Sequence, residues 1–183
     1  MDFPLISEEC PKEEKVAKHE AAHFIVMVYL LGDNLPLMTS IKGVALFDDG
    51  KNSINGKIYF DCTKQEAKEF LYIYLAGKAM ESLIEGDSYK LLTDEIPTEY
   101  SDLGKYLALY SKLNNGEFWW HEDKTSEIIN KDFQYTVKLC KELEDDINGF
   151  ATLLLEKRII TEGLLAQEIE KILNRKRLIE DFS

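Results

Sequence analysis

The sequence predicts a mainly α-helical domain of the α+β class, bundle-like, with a small β-hairpin or sheet inserted after its first helix. Three observations carry that prediction. Apolar residues recur at helical spacing in five separate segments. Between the first two of these, two strand-like runs flank a turn signal. The 183 residues hold no internal repeat or low-complexity tract, and that length suits one domain spanning 1–183.

The first helix is expected over Lys15 to Leu31, with its start prepared by Ser7 to Pro11 and by Glu13 and Glu14. Val16, Ala17, Ala21, Phe24, Val28 and Leu31 form its apolar face, and Gly32, Asp33-Asn34 and Pro36 stop it. Strands are expected over Leu37 to Phe47 and Ser53 to Phe60, joined by a turn at Asp48-Asp49-Gly50-Lys51-Asn52. Gly56 inside the second strand marks a bulge, a place where another backbone comes close, or simply the hairpin turn.

Thr63-Lys64-Gln65-Glu66 reads as a capping box opening a second helix that ends at Gly86. Ala76, Gly77 and Ala79 are small, so this helix is expected to lie close against a neighbour. A third helix is expected over Thr98 to Leu113, with Asp102 in its first turn, where a carboxylate also suits the positive helix end. Phe118-Trp119-Trp120-His121 is read as packing, because His121 has no partner at ligand spacing. One long helix follows from Thr125 to about Glu156, with Asn148-Gly149 as its expected kink. The last helix starts near Thr161 and carries Arg175-Lys176-Arg177 toward its negative end.

Composition narrows the function. With 22 basic and 34 acidic residues, the net charge is −12. Such a surface repels nucleic-acid phosphates and anionic membranes. The longest apolar run, Phe24 to Leu31, falls well short of the ~20 residues that span a bilayer. The N-terminus lacks the basic-then-apolar order of a signal peptide. Cys10, Cys62 and Cys140 are widely spaced and odd in number, the usage of reduced thiols in a cytoplasmic setting.

One pentapeptide carries chemistry. His19-Glu20-Ala21-Ala22-His23 sets two histidines four residues apart, on one face of the first helix. Both imidazoles can then reach one Zn²⁺, with Glu20 beside them as a proton acceptor for a metal-activated water. A catalytic zinc takes three protein ligands. Two carboxylates compete for the third place, Glu81 on the second helix and Asp102 at the start of the third, and spacing leaves both open.

Several motifs, in order, resemble the peptidase domain of the FtsH family of ATP-dependent zinc proteases, over about 15–173. Lys18-His19-Glu20-Ala21-Ala22-His23 is similar to that family's metal helix, usually HEAGH. The run from Leu75 to Gly86 is similar to its LGGRAAEELVFG helix, and Thr98 to Leu103 to its T-G-A-x-N-D-L segment. Val137 to Leu173 resembles its C-terminal helices. The resemblance implies a zinc metalloendopeptidase with His19, His23 and Asp102 as ligands, Glu20 as the base, and Glu81 in a packing or supporting role. It also implies a polypeptide substrate, a homo-oligomeric ring and a partner ATPase. Ala22 stands where the family has glycine, and Glu99 and Tyr100 replace small residues beside the aspartate. These 183 residues contain no G-x-x-x-x-G-K-[ST], so the family's ATPase is not expected within them, and a separate ATPase or further copies of the chain are the candidate partners. The competing expectation is a non-catalytic relative that binds protein without cutting it.

Overall fold

Helix α1 (Lys12–Leu31) is the axis of the fold in the computed structural model. The structure describes residues 12–48, 50, 54–62, 67–86, 98, 100–114 and 123–181. After α1, a short 3-10 turn (Gly32–Asn34) leads into α2 (Leu35–Met38), followed by strands β1 (Thr39–Asp48) and β2 (Ile54–Cys62). Then come α3 (Glu69–Glu85), α4 (Asp102–Leu113), α5 (Asp123–Glu142) and α6 (Glu144–Lys157). Strand β3 (Ile159–Thr161) and helix α7 (Glu162–Asp181) complete the order. The molecule is mostly helical with one small antiparallel sheet, a mainly α, α+β fold. Among the described residues no helix is long and apolar enough to cross a membrane.

Every residue of α1 from Ala21 to Val28 is buried, the mark of a helix enclosed on all sides. Helix α3 packs on one side of it and α6 on another, while β2 and α7 close the remainder. Small residues permit this: Ala17, Ala21 and Ala22 of α1 and Ala76, Gly77 and Ala79 of α3 are all buried, and Gly77 lies directly against His19 and His23 of α1. The Ala22 methyl is wholly buried in that core. On the α6 side Phe24 stacks on Phe150, with ring centroids 4.2 Å apart. Burying each such large apolar side chain contributes roughly 1.5–3 kcal/mol, so packing holds α1 in place.

The sheet has the order β2-β1-β3, antiparallel throughout. Val44 pairs with Ile58 on one side and Ile160 on the other, and Leu46 pairs with Gly56. A register shift between Ile41 and Gly43 bends β1. Val44, Leu46 and Ile160 point into the core, while Lys57, Tyr59 and Ile159 face outward. Strand β2 is therefore an edge strand, and it passes over the N-terminal half of α1.

Several boundaries differ from the sequence reading. Leu37 and Met38 close a helical turn, so β1 begins at Thr39. Helix α3 begins at Glu69, with Lys68 in the cap position, and Phe70 and Leu71 are its first buried side chains. Helix α4 begins at Asp102, since Ser101 supplies its cap. The long C-terminal helix bends at Leu143, not at Asn148-Gly149. Leu143 is buried, and the bend lets α5 pack on α3 while α6 turns Ile147, Phe150 and Leu154 toward α1. Gly149 faces open space, so nothing there asks for a kink. Strand β3 was not expected, although its Ile-Ile-Thr composition favours a strand. The Ser7–Pro11 start, most of the β1–β2 turn, the Thr63–Glu66 box, residues 87–97, and His121 with its aromatic patch lie outside the described residues.

Candidate metal centre

One turn of α1 separates His19 from His23, and their ring centroids are 4.8 Å apart. The outer ring nitrogens are both engaged. His23 Nδ1 lies 2.6 Å from the Ile73 carbonyl oxygen of α3. A carbonyl can only accept, so Nδ1 carries the proton and Nε2 presents a lone pair. His19 Nδ1 lies 2.7 Å from Glu81 Oε1, also of α3, which fixes the same tautomer when the ring is neutral. Lys78 Nζ sits 3.2 Å from the other Glu81 oxygen.

The inner nitrogens converge. His19 Nε2 and His23 Nε2 are 3.1 Å apart, and Asp102 Oδ2 is 3.2 Å and 3.1 Å from them. Asp102 reaches this point because it opens α4. The Ser101 hydroxyl oxygen accepts from Gly104 N at 3.1 Å and donates to the Thr98 carbonyl at 2.8 Å, closing the turn that aims the short carboxylate. A Cβ on Gly104 would collide with that same Thr98 carbonyl.

Three lone-pair donors cannot share one point unless a proton or a cation sits among them. Two imidazole nitrogens and one carboxylate oxygen, mutually within 4.8 Å, form a group close enough to hold a metal ion. For the side chains alone, a proton fills this role. Burial disfavours charge on His19, but hydrogen bonds to Asp102 and Glu81 outweigh it and lift the ring to about 9. Burial likewise works against the Asp102 charge, yet the neighbouring His23 and His19 hold it far below the usual carboxylate range. Glu81, despite its burial, is drawn down to about 2 by its bond to His19 and by Lys78.

Glu20 opens onto a cleft of about 330 Å³ beside this cluster, lined also by His23, Asp102, Met27, Ile73 and Tyr100. Burial raises the Glu20 carboxyl above its ordinary value, partly offset by His23 and His19. Strand β2 presses on it: a Cβ at Gly56 would overlap the Glu20 side chain. Gly56 pairs in register with Leu46, so the glycine marks no bulge, and what approaches it is the Glu20 side chain and not another backbone. Tyr100, one of the departures noted above, is largely exposed at the mouth of the cleft.

The structure thus brings His19, His23 and Asp102 together and sets Glu81 behind His19, on the far side of the ring. Three participants escaped the sequence reading. The Ile73 carbonyl is backbone and leaves no signal. Gly77 lies under both imidazoles, and a Cβ there would overlap Nε2 of His19 and of His23. Its small-residue neighbourhood pointed to close helix packing, not to room for metal ligands. Lys105, whose Nζ lies 3.3 Å from Asp102 Oδ1, is another, whereas Gly56 was singled out from the sequence. No protein-family model matches the chain. No curated protein matches it either.

Proposed function

We propose that this protein is a zinc-dependent metalloendopeptidase of the FtsH peptidase type, acting on polypeptides in the cytoplasm. The observation that carries the reading is the placement of Glu20. Its carboxyl, raised by burial, shares a cleft with a group of two imidazoles and one carboxylate. His19, His23 and Asp102 would hold the ion, a two-nitrogen, one-oxygen set that suits a catalytic zinc with a position left open. Bound there, zinc supplies a Lewis acid that brings the pKa of water toward ~7 and polarises a carbonyl.

This chain's residues do the rest. Glu20 takes the proton of the attacking water and returns it to the leaving amine, a role favoured by a carboxyl tuned upward from its ordinary pKa. Glu81 and the Ile73 carbonyl keep both imidazoles turned with Nε2 inward. The β2 edge from Gly56 to Phe60 borders the cleft, and an extended substrate would pair with it as an added strand. A separate ATPase, or a ring of copies of this chain, would deliver unfolded substrate, as the FtsH resemblance implies.

Cleavage of an unfolded protein is the test, run with and without chelator on the wild type and on Glu20→Gln, with metal analysis of both. Chelator-sensitive cleavage, lost in Glu20→Gln while zinc is retained, supports the reading. Stoichiometric metal without cleavage points to the non-catalytic binding module. Iron in place of zinc would redirect the chemistry toward other uses of a two-histidine, one-carboxylate site.

A further inference from the structure

We infer that Lys105 is a positioning residue for Asp102, restricting that carboxylate to one oxygen toward the ion. The two Asp102 oxygens have different surroundings. Oδ2 faces both Nε2 atoms, while Oδ1 lies 3.3 Å from Lys105 Nζ. Three residues along α4 from Asp102, Lys105 shares its helix face. The Lys105 amide is anchored to the Ser101 carbonyl oxygen at 2.9 Å, in the turn that also aims Asp102.

Each of the other two ligands already has a holder on its outer side: Glu81 for His19 and the Ile73 carbonyl for His23. Lys105 supplies the third. The requirement is stricter for a carboxylate than for an imidazole. An imidazole turned inward has one free lone pair, whereas a carboxylate can give an ion one oxygen or both. A second oxygen on the ion would add a donor beside the position a catalytic site keeps for water, raising the coordination from four to five and crowding that position. An ammonium bound to Oδ1 opposes that rotation. Lys105 also lines the cleft, and its charge favours ionised Glu20, so it belongs to the site's electrostatics. An exposed i,i+3 pair of this kind adds little to stability, so its removal leaves the fold intact for measurement.

The inference rests on the metal-site part of the reading above and is independent of peptide cleavage. Cobalt(II) provides the probe, because its visible absorption reports coordination number. Wild type, Lys105→Met and Lys105→Arg are loaded with cobalt and their spectra recorded, with thermal melts to check folding. The expected result is intense four-coordinate bands in wild type and Lys105→Arg, and the weaker bands of a five-coordinate ion in Lys105→Met. A Lys105→Met spectrum identical to wild type overturns the inference. Failure of the wild type to bind cobalt overturns it together with the metal site. Absence of cleavage by a wild type with four-coordinate cobalt, contrasted with five-coordinate Lys105→Met, sinks the peptidase reading alone and supports the role of Lys105.

Discussion

Glu81 Oε1 lies 2.7 Å from His19 Nδ1, on the ring edge opposite Asp102. This places the two candidate acids on opposite sides of one imidazole. An ion held by His19 Nε2 is within reach of Asp102 and shielded from Glu81 by the ring itself. The same bond lowers Glu81 and adds to the rise of His19, which owes more to Asp102, since each partner stabilises the charge of the other.

Removing the two acids should therefore have unequal effects. Asp102→Ala deletes one of the three groups proposed to hold the ion, and zinc binding should become too weak to survive dialysis. Glu81→Gln keeps the ligands but loses the charged partner of His19, which should weaken zinc by about 10–100-fold. Competition against a chromogenic chelator measures both. Full zinc retention in Asp102→Ala would show that the third ligand is elsewhere.

Gly77→Ala should separate stability from metal binding. Alanine gains about 1 kcal/mol of helix propensity over glycine, against about 1–3 kcal/mol for overpacking, so the melt should shift only modestly. The added methyl falls on both Nε2 atoms, so zinc binding should drop by at least tenfold. Unaltered zinc affinity in Gly77→Ala would mean that α3 can draw away from the imidazoles at little cost.

Gly56→Ala acts on the other side of the cleft. Its methyl would displace the Glu20 side chain without touching a ligand. Zinc content should stay stoichiometric while the cleavage rate falls by about 10²-fold, the loss associated with a misplaced acid–base group. Parallel measurement of metal content and kcat checks this. Loss of zinc together with activity would instead assign β2 a role in holding the ligands.

The pH dependence of binding follows from His19. Its ring titrates near 6.5 in an unfolded chain and at about 9 in the folded one. Below about 9 the ion must displace that proton, so apparent zinc affinity should rise about tenfold per pH unit from neutral pH and level off above about 9. Stability of the metal-free protein should run the other way. A raised folded pKa means that the His19 contribution is fully present below pH 6.5 and is lost as pH climbs through about 9. Competition titrations and chemical denaturation across pH 6–10, with chelator present in the second case, measure the two trends. A flat affinity profile would mean that His19 is already neutral at pH 7.

Much of the scaffold was legible because helix periodicity and turn chemistry act over a few residues. The spacing of His19 and His23 placed both rings on one face, Gly86 ended α3 with a φ of 68°, and the hairpin followed the first helix. The bend at Leu143 was misplaced because Asn148-Gly149 is a local signal, whereas the direction of α6 depends on which helix receives Phe150. Strand β3 was missed for a related reason: three residues are too few to show a period, and pairing with β1 defines them.

The pair of imidazoles and the acid beside them were thus a property of the chain's local order, as was the choice of helices around them. The joining of His19 to Glu81 and Asp102, 62 and 83 residues away, was not. It depends on α3 and α4 docking against α1, and docking is decided by the summed shape of buried side chains such as Ala21, Ala76 and Gly77. No short window of sequence contains that sum, so spacing left Asp102 and Glu81 both open until the resemblance favoured Asp102, and the Ile73 carbonyl and the room for the rings emerge only when the core is packed.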